Sequence, residues 1–206
     1  VMLTAGVDVQ ADRLEVEIVG WGKNQEAWSI DYRVFPGRVD GNEPWDRLVD
    51  LLNETWVTHH AREDERLTLH LRMIGVDTGY NTQRVYSWIR EQKSDRISAL
   101  KGTEGSGTLL GQPKAVDVTT QGKKVARGIR LWPVGVDLIK SEQYGRFKQQ
   151  APVEKDAPLP FGFCHWPMYG EDYFKMLTAE QRVGKLVRGY KRFYWTKIRD
   201  RNEALD

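Results

Sequence analysis

Alternating apolar and polar positions at the start of the chain predict a three-stranded antiparallel sheet. Residues 14–19 alternate with a period of two, a mostly apolar run precedes them at 3–9, and a further strand pattern follows at 27–34. Connections of hairpin length, 10–13 and 22–25, separate the segments, which favours neighbouring strands joined by tight turns. The sequence therefore predicts an opening β-meander.

The apolar spacing then changes to that of helices. Residues 45–56 and 82–92 repeat apolar side chains every three or four positions, and strand patterns at 68–76 and 97–100 flank the second helix. Strand, helix and strand in this order are typical of a parallel βαβ unit. The predicted fold class is α/β, with a mixed sheet (an antiparallel three-stranded meander plus parallel strands) flanked by helices.

The second half of the chain is less regular. Residues 102–128 are rich in Gly, Thr and Lys and predict a long polar loop or a flexible hairpin. Beyond them the pattern predicts, in order, a strand, a helix, a short strand, a short helix and a hairpin: 129–134, 137–149, 161–166, 173–177 and 182–198. Asp137 is predicted to be the N-cap of its helix, and the last six residues have helical spacing.

Composition bounds the class of protein but does not identify a partner. The 206 residues fit a single domain, 1–206, and include 31 Lys and Arg against 29 Asp and Glu, so bulk charge does not indicate nucleic-acid binding. A single cysteine, Cys164, excludes an internal disulfide and favours a reducing, intracellular setting. No apolar run approaches the roughly 18 residues that span a bilayer. The two ends of the chain suggest a domain excised from a longer protein.

Two aspartates end apolar strand patterns and are candidates for metal ligands. Asp8 lies in Gly-Val-Asp-Val and Asp77 in Gly-Val-Asp-Thr-Gly. If the two strands are sheet neighbours, both carboxylates emerge at one edge, and two close anions favour a bound divalent cation. The alternative is that both aspartates merely cap loops or helices. Glu203 and Asp206 lie three residues apart, on one face of a helix, and either could supply a third ligand.

A phosphodiester substrate also requires positive surface, and residues 182–201 provide it. Eight Lys and Arg residues occur there with a single acid, Asp200, and with interleaved aromatic side chains. This mixture suits phosphate contact with apolar anchoring, although a basic hairpin with an aromatic core face has the same composition. The residues predicted to bind DNA are Lys185, Arg188, Lys191, Arg192, Lys197, Arg199 and Arg201.

Collinear motifs along nearly the whole chain resemble a known family. They are Leu-Thr-Ala-Gly-Val-Asp-Val-Gln at 3–10, Gly-Trp-Gly at 20–22, Val-Asp-Thr-Gly at 76–79, Leu-Lys-Gly at 100–102 and Arg-Asn-Glu-Ala-Leu-Asp at 201–206. The chain resembles the C-terminal endonuclease domain of phage lambda-type large terminase subunits. The resemblance implies an RNase H-like fold and an endonuclease that cuts concatemeric viral DNA for packaging. It also implies an ATPase motor N-terminal to the nuclease, whose phosphate-binding loop is missing from this sequence.

The resemblance implies roles in the reaction for the residues of this chain that match the family's motifs. Asp8 and Asp77 match the acids of the first and central strands, Glu203 is the preferred third acid with Asp206 as its competitor, and Lys101 matches a phosphate-contacting lysine. The implied cofactors are Mg²⁺ or Mn²⁺ in a two-metal site, in which Asp8 bridges both ions. The isolated domain is expected to bind metal weakly until DNA completes the coordination.

The resemblance also implies partners, and two other functions stay open. The expected partners are double-stranded DNA, the small terminase subunit, the portal and the ATPase domain of the same chain, in the host cell cytoplasm and without a membrane. Another RNase H-like nuclease, of resolvase or transposase type, would share the acids but differ in DNA geometry. A catalytically silent DNA-binding or assembly module would use the acids only as caps.

Overall fold

The computed structural model describes residues 1–59, 63–105, 107–120, 122–154 and 157–205. The helices within these residues are α1 (Glu43–Asn53), α2 (Thr82–Gln92), α3 (Val136–Phe147) and α4 (Glu171–Leu177). The strands are β1 (Met2–Val9), β2 (Arg13–Trp21), β3 (Ala27–Pro36), β4 (Thr55–Val57), β5 (Thr68–Asp77), β6 (Ile97–Thr103), β7 (Lys114–Thr120), β8 (Lys123–Gly135), β9 (Cys164–His165), β10 (Glu180–Val187) and β11 (Tyr190–Lys197).

The large sheet is mixed, as the sequence predicts. Its strand order is β7-β8-β6-β5-β1-β2-β3-β9, with β4 paired to β5. The opening meander is confirmed, because β2 runs antiparallel to both β1 and β3. The βαβ unit is confirmed as well, since β5, β6 and β8 run parallel to β1. β10 and β11 form a separate two-stranded hairpin.

The core covers one face of this sheet. Alternate residues of β1 are buried there, and α1 and α2 pack on that face through side chains such as Trp45 and Trp88, whose rings lie 4.9 Å apart. Burial of the β-branched and aromatic side chains supplies most of the favourable free energy of this arrangement. The opposite face of β1, with Thr4, Gly6 and Asp8, is turned away from the core and toward α3.

Of the two alternatives predicted for the polar segment 102–128, the structure agrees with the hairpin, because β7 pairs antiparallel with β8. Two other sequence predictions differ from the structure. The chain at 203–205 forms a turn and no helix. Asp137 is not the N-cap of α3, because the helix begins at Val136 after Gly135; its carboxylate accepts a hydrogen bond from the Gly105 amide at 2.6 Å instead.

The central strand order defines the fold family. Strands β3-β2-β1-β5-β6 lie side by side, with β2 antiparallel to the others and helices on the sheet. This is the arrangement of RNase H-like proteins, and the predicted fold class is confirmed. Among the described residues, no helix is both long enough and apolar enough to cross a membrane.

Candidate active site

Two carboxylates meet at one edge of the sheet. β1 and β5 are parallel neighbours in the register Val7 to Val76, so Asp8 and Asp77 follow the paired valines at the carboxyl ends of adjacent strands. The valines point into the core, and the alternation of a strand therefore places both aspartates on the opposite face. Both line a cavity of about 470 Å³. Asp8 and Asp77 thus emerge at the same edge of the sheet, as expected for acids at the ends of neighbouring parallel strands.

Glycines and hydrogen bonds prepare this edge for a ligand. Gly6 and Gly75 pair in register two residues before the acids. The Leu100 side chain occupies the space above Gly75, where a Cβ would meet it at 2.5 Å, but a Cβ on Gly6 would meet nothing within 4 Å. A Cβ on Gly79 would lie 2.7 Å from Oδ2 of Asp77, and the Gly79 amide donates to that oxygen at 2.8 Å. The open space above Gly6 allows a ligand to approach the backbone closely. Carboxylate oxygens facing an open cavity fit the donor preference of Mg²⁺ and Mn²⁺.

Lys101 borders the cavity of the two acids from the next strand. Leu100 of β6 pairs with Asp77 of β5 and shares its face of the sheet, so Lys101, the next residue, extends from the other face near the end of the strand. It is exposed and lines the same cavity as Asp8 and Asp77. A cation at this position can contact a phosphate group held at the carboxylates. The predicted role of Lys101 is therefore compatible with its place at the edge.

Glu203 lies near Asp8, but its carboxylate already has protein partners. Both residues line a second cavity, of about 620 Å³. The Glu203 carboxylate is only 8% exposed and is paired with Arg13 at 2.6 Å and with Arg201 at 3.3 Å. Across the described parts of the chain, no three His, Cys, Asp or Glu side chains form a group that could hold a metal ion. Asp206 lies outside the described residues, so the choice between Glu203 and Asp206 stays open.

The basic residues predicted to bind DNA divide into two sets. Five of them are exposed along the β10-β11 hairpin: Lys185, Arg188, Lys191, Arg192 and Lys197. The other two have partners within the domain. Arg199 donates to the Thr178 carbonyl at 2.6 Å, and Arg201 pairs with Glu15 at 2.7 Å and with Glu203.

The hairpin carries its charge in an unfavourable arrangement. Lys185 and Arg192 lie directly opposite each other across the two strands, and like charges in that position are destabilising. Arg188 and Gly189 form the turn with positive φ angles of 51° and 81°, as a two-residue hairpin turn of type I′ requires. At its base the hairpin is anchored by Trp195, which lies 4.8 Å from the ring of Tyr144 on α3. A polyanion lying along the strands would relieve the repulsion.

Sequence reasoning missed two acids on β2. Glu15 pairs in register with Asp8, its side chain has no exposed surface, and it binds Arg13 and Arg201. Burial raises the pKa of Glu17 to about 7, although hydrogen bonds from Ser29 and Tyr173 oppose the shift. The sequence signal that could have found them is the short connection between β1 and β2. The hairpin register that it sets places Glu15 and Glu17 on the same face of the sheet as Asp8.

The fold and these acids define a class of protein, the RNase H-like proteins with carboxylates at the edge formed by the first and central strands. A family model for the endonuclease domain of the terminase large subunit gpA matches residues 1–206. The chain belongs to this family of terminase endonuclease domains. No solved structure matches it.

Two relatives support the assignment. The chain is similar to the terminase large subunit of Escherichia phage lambda, with 33% identity over 99% of this chain and 30% of that protein. It is also similar to the terminase large subunit of Enterobacteria phage P21, with 30% identity over 100% of this chain and 31% of that protein. The chain therefore spans about a third of the length of these relatives.

Proposed function

We propose that this domain is a divalent-metal-dependent endonuclease that hydrolyses phosphodiester bonds of double-stranded DNA. The observation that carries the proposal is that Asp8 and Asp77 end adjacent strands and line one cavity, with Lys101 on the next strand. Two anions in such proximity repel each other unless a cation or a proton lies between them. Membership of the terminase endonuclease family supports the choice of a cation.

Different residues of the site would hold the metal ions and the substrate. Asp8, at the centre, would contact both ions, Asp77 would hold one, and Glu203 or Asp206 would hold the other. Bound Mg²⁺ or Mn²⁺ would activate a water molecule and stabilise the leaving 3′ oxygen. Lys101 would contact the scissile phosphate and keep it oriented toward the carboxylates.

The β10-β11 hairpin would supply most of the affinity for DNA. A two-stranded ribbon fits the major groove, and cations on exposed strands neutralise phosphates regardless of base sequence. The opposed Lys185 and Arg192 support this role, because an anionic partner would reduce their mutual repulsion. Binding would then be strongly dependent on salt and weakly dependent on sequence.

The biological substrate would be concatemeric viral DNA, cut during genome packaging in the host cell cytoplasm. We infer this from the relatives, which are terminase large subunits of phages. The domain would act as one unit, residues 1–206, of a longer chain with an ATPase motor. The small terminase subunit and the portal would select the site of cutting, so the isolated domain is expected to cut with little sequence preference.

Cleavage of a linear duplex with Mn²⁺ tests the proposal. Wild-type protein is expected to cut, Asp8→Asn and Asp77→Asn are expected to be inactive, and Asp50→Asn, an exposed site on α1 at the opposite face of the sheet, serves as the matched control. Preferential cutting of branched or hairpin DNA would instead favour a resolvase or transposase type of enzyme. Unchanged cleavage and metal binding in both aspartate variants would contradict the proposal and favour a DNA-binding or assembly module.

A further inference from the structure

Four charged side chains form a closed ring next to Asp8. Arg13 binds Glu15 at 2.5 Å and Glu203 at 2.6 Å, while Arg201 binds the same two acids at 2.7 Å and 3.3 Å. Each arginine therefore bridges both glutamates, and each glutamate accepts from both arginines. The two positive and two negative charges balance within the ring.

Burial makes the ring unusual for an ion-pair cluster. The Glu15 side chain has no exposed surface, and the Tyr32 hydroxyl donates to it as well. A buried carboxylate is expensive without such partners, and removing one partner of a buried pair leaves an uncompensated charge. The neutral, hydrogen-bonded ring thus lowers the free-energy cost of keeping the Glu15 carboxylate ionised at this buried position.

The ring determines where Glu203 lies. Residues 201–205 belong to no helix or strand of the structure, so their position depends on side-chain and turn contacts. Asn202 is buried and donates to Glu180 at 2.9 Å, which fixes the neighbouring residue, and the ring ties Glu203 itself to β2. Glu15 on β2 pairs in register with Asp8 on β1. The ring therefore holds Glu203 against β2, next to Asp8.

The bonding of Glu203 is uneven between its two oxygens. Oε1 accepts the close bond from Arg13 at 2.6 Å, whereas the contact of Oε2 with Arg201 is 3.3 Å long. An ionised carboxylate has about four lone-pair sites, so Oε2 keeps capacity for a cation in the cavity that it shares with Asp8. Glu15 contributes because it accepts hydrogen bonds from both arginines and so leaves them fewer donors for Glu203.

We propose that Arg13, Glu15 and Arg201 are positioning residues: the two arginines fix Glu203 beside Asp8, and Glu15 offsets the positive charge that they bring to the Glu203 carboxylate. The inference rests on the proposed function, because it assumes that Asp8 binds a divalent ion and that Glu203, of the two candidate acids, is the third ligand. Outer partners of metal ligands commonly influence metal affinity by about 10- to 100-fold. Without the charge of Glu15, both arginines would act on Glu203 alone and would repel the cation.

The test is calorimetric titration of Mn²⁺ into the protein without DNA, alongside the thermal midpoint of unfolding. Glu15→Gln keeps the shape of the side chain but removes its charge, and it is expected to raise the Mn²⁺ dissociation constant about 10-fold. Arg13→Lys keeps the charge but cannot bridge both glutamates, and it should raise the constant in the same direction. Arg47→Gln, which breaks an exposed ion pair on α1, is the matched control and should bind like wild type.

The outcomes separate this inference from the proposed function. An unchanged Mn²⁺ dissociation constant in the folded Glu15→Gln or Arg13→Lys protein would overturn the inference, and the ring would then only stabilise the fold. Arg201→Lys, which keeps the positive charge but cannot bridge both glutamates, is also expected to weaken Mn²⁺ binding; unchanged Mn²⁺ binding in this variant would refute the place of Arg201 in the ring. If Asp8→Asn binds Mn²⁺ as well as wild type does, the proposed function itself is wrong.

Discussion

The buried carboxyl of Glu17 makes the stability of this domain depend on pH in a calculable way. Desolvation raises its pKa from the ordinary value of 4.5 to about 7. Its Oε1 accepts hydrogen bonds from the Ser29 and Tyr173 hydroxyls, while Oε2 has no hydrogen-bond partner among the described residues. A neutral carboxylic acid tolerates that environment better than a carboxylate does.

The sign and size of the effect follow from the two pKa values. Below pH 4.5 both the folded and the unfolded state carry the proton, so there is no penalty. Between pH 4.5 and 7 the unfolded state releases the proton first, and the free energy of unfolding falls. Because a tenfold change in an equilibrium constant corresponds to about 1.4 kcal/mol, the full loss above pH 7 is about 3 kcal/mol.

Glu17→Gln removes this dependence, since glutamine is neutral in both states and can accept the same two hydrogen bonds. Urea unfolding from pH 4 to 8 should show the stability of the variant, relative to wild type, rising by about 3 kcal/mol across that range. Glu43→Gln, at an exposed site on α1, is the control and should show no comparable rise. A difference between Glu17→Gln and wild type that is the same at pH 4 and pH 8 would refute the reasoning.

Further predictions concern the core, the hairpin and the edge lysine. Trp45→Ala should cost about 3–5 kcal/mol in urea unfolding, because the side chain is fully buried against α2; a loss below about 1 kcal/mol would contradict this packing. Lys191→Gln should lower the salt slope of DNA binding by about 1 in fluorescence anisotropy, and an unchanged slope would exclude a phosphate contact. Lys101→Gln should reduce the cleavage rate about 100-fold with duplex affinity intact; an undiminished rate would remove Lys101 from the site. Gly189→Val should cost the hairpin about 1 kcal/mol and speed hydrogen exchange in β10 and β11 only, whereas equal exchange rates would contradict the turn.

Local periodicity predicted those elements whose stability comes from an amphipathic face. The helix predicted at 82–92 coincides with α2, since its buried positions, 85, 86, 88 and 89, recur at the spacing of one helix face. The hairpin of β7 and β8 was predicted only as one alternative to a loop, because Val118 is the one residue of β7 that is fully buried and the strand is held mainly by backbone pairing with β8. Backbone pairing of this kind does not require alternating apolar and polar side chains, so the sequence pattern gives little indication of it.

The candidate site was predictable only in part, for a related physical reason. The sequence identified Asp8 and Asp77 but could state their adjacency only as a condition, because parallel pairing depends on which strands become neighbours. The helical spacing near the end of the chain proved misleading, since residues 203–205 form a turn and contacts with distant residues hold Glu203 in place. The pairing of Arg13 with Glu203 joins positions 190 residues apart, and no local pattern encodes it.

The most direct test of the account is a crystal of the domain with a short DNA duplex, soaked in Mn²⁺ and examined by anomalous diffraction. The account predicts density bonded to carboxylate oxygens of both Asp8 and Asp77, with Lys101 directed at the adjoining phosphate. Anomalous density elsewhere on the molecule, with these two carboxylates free of metal, would contradict the account.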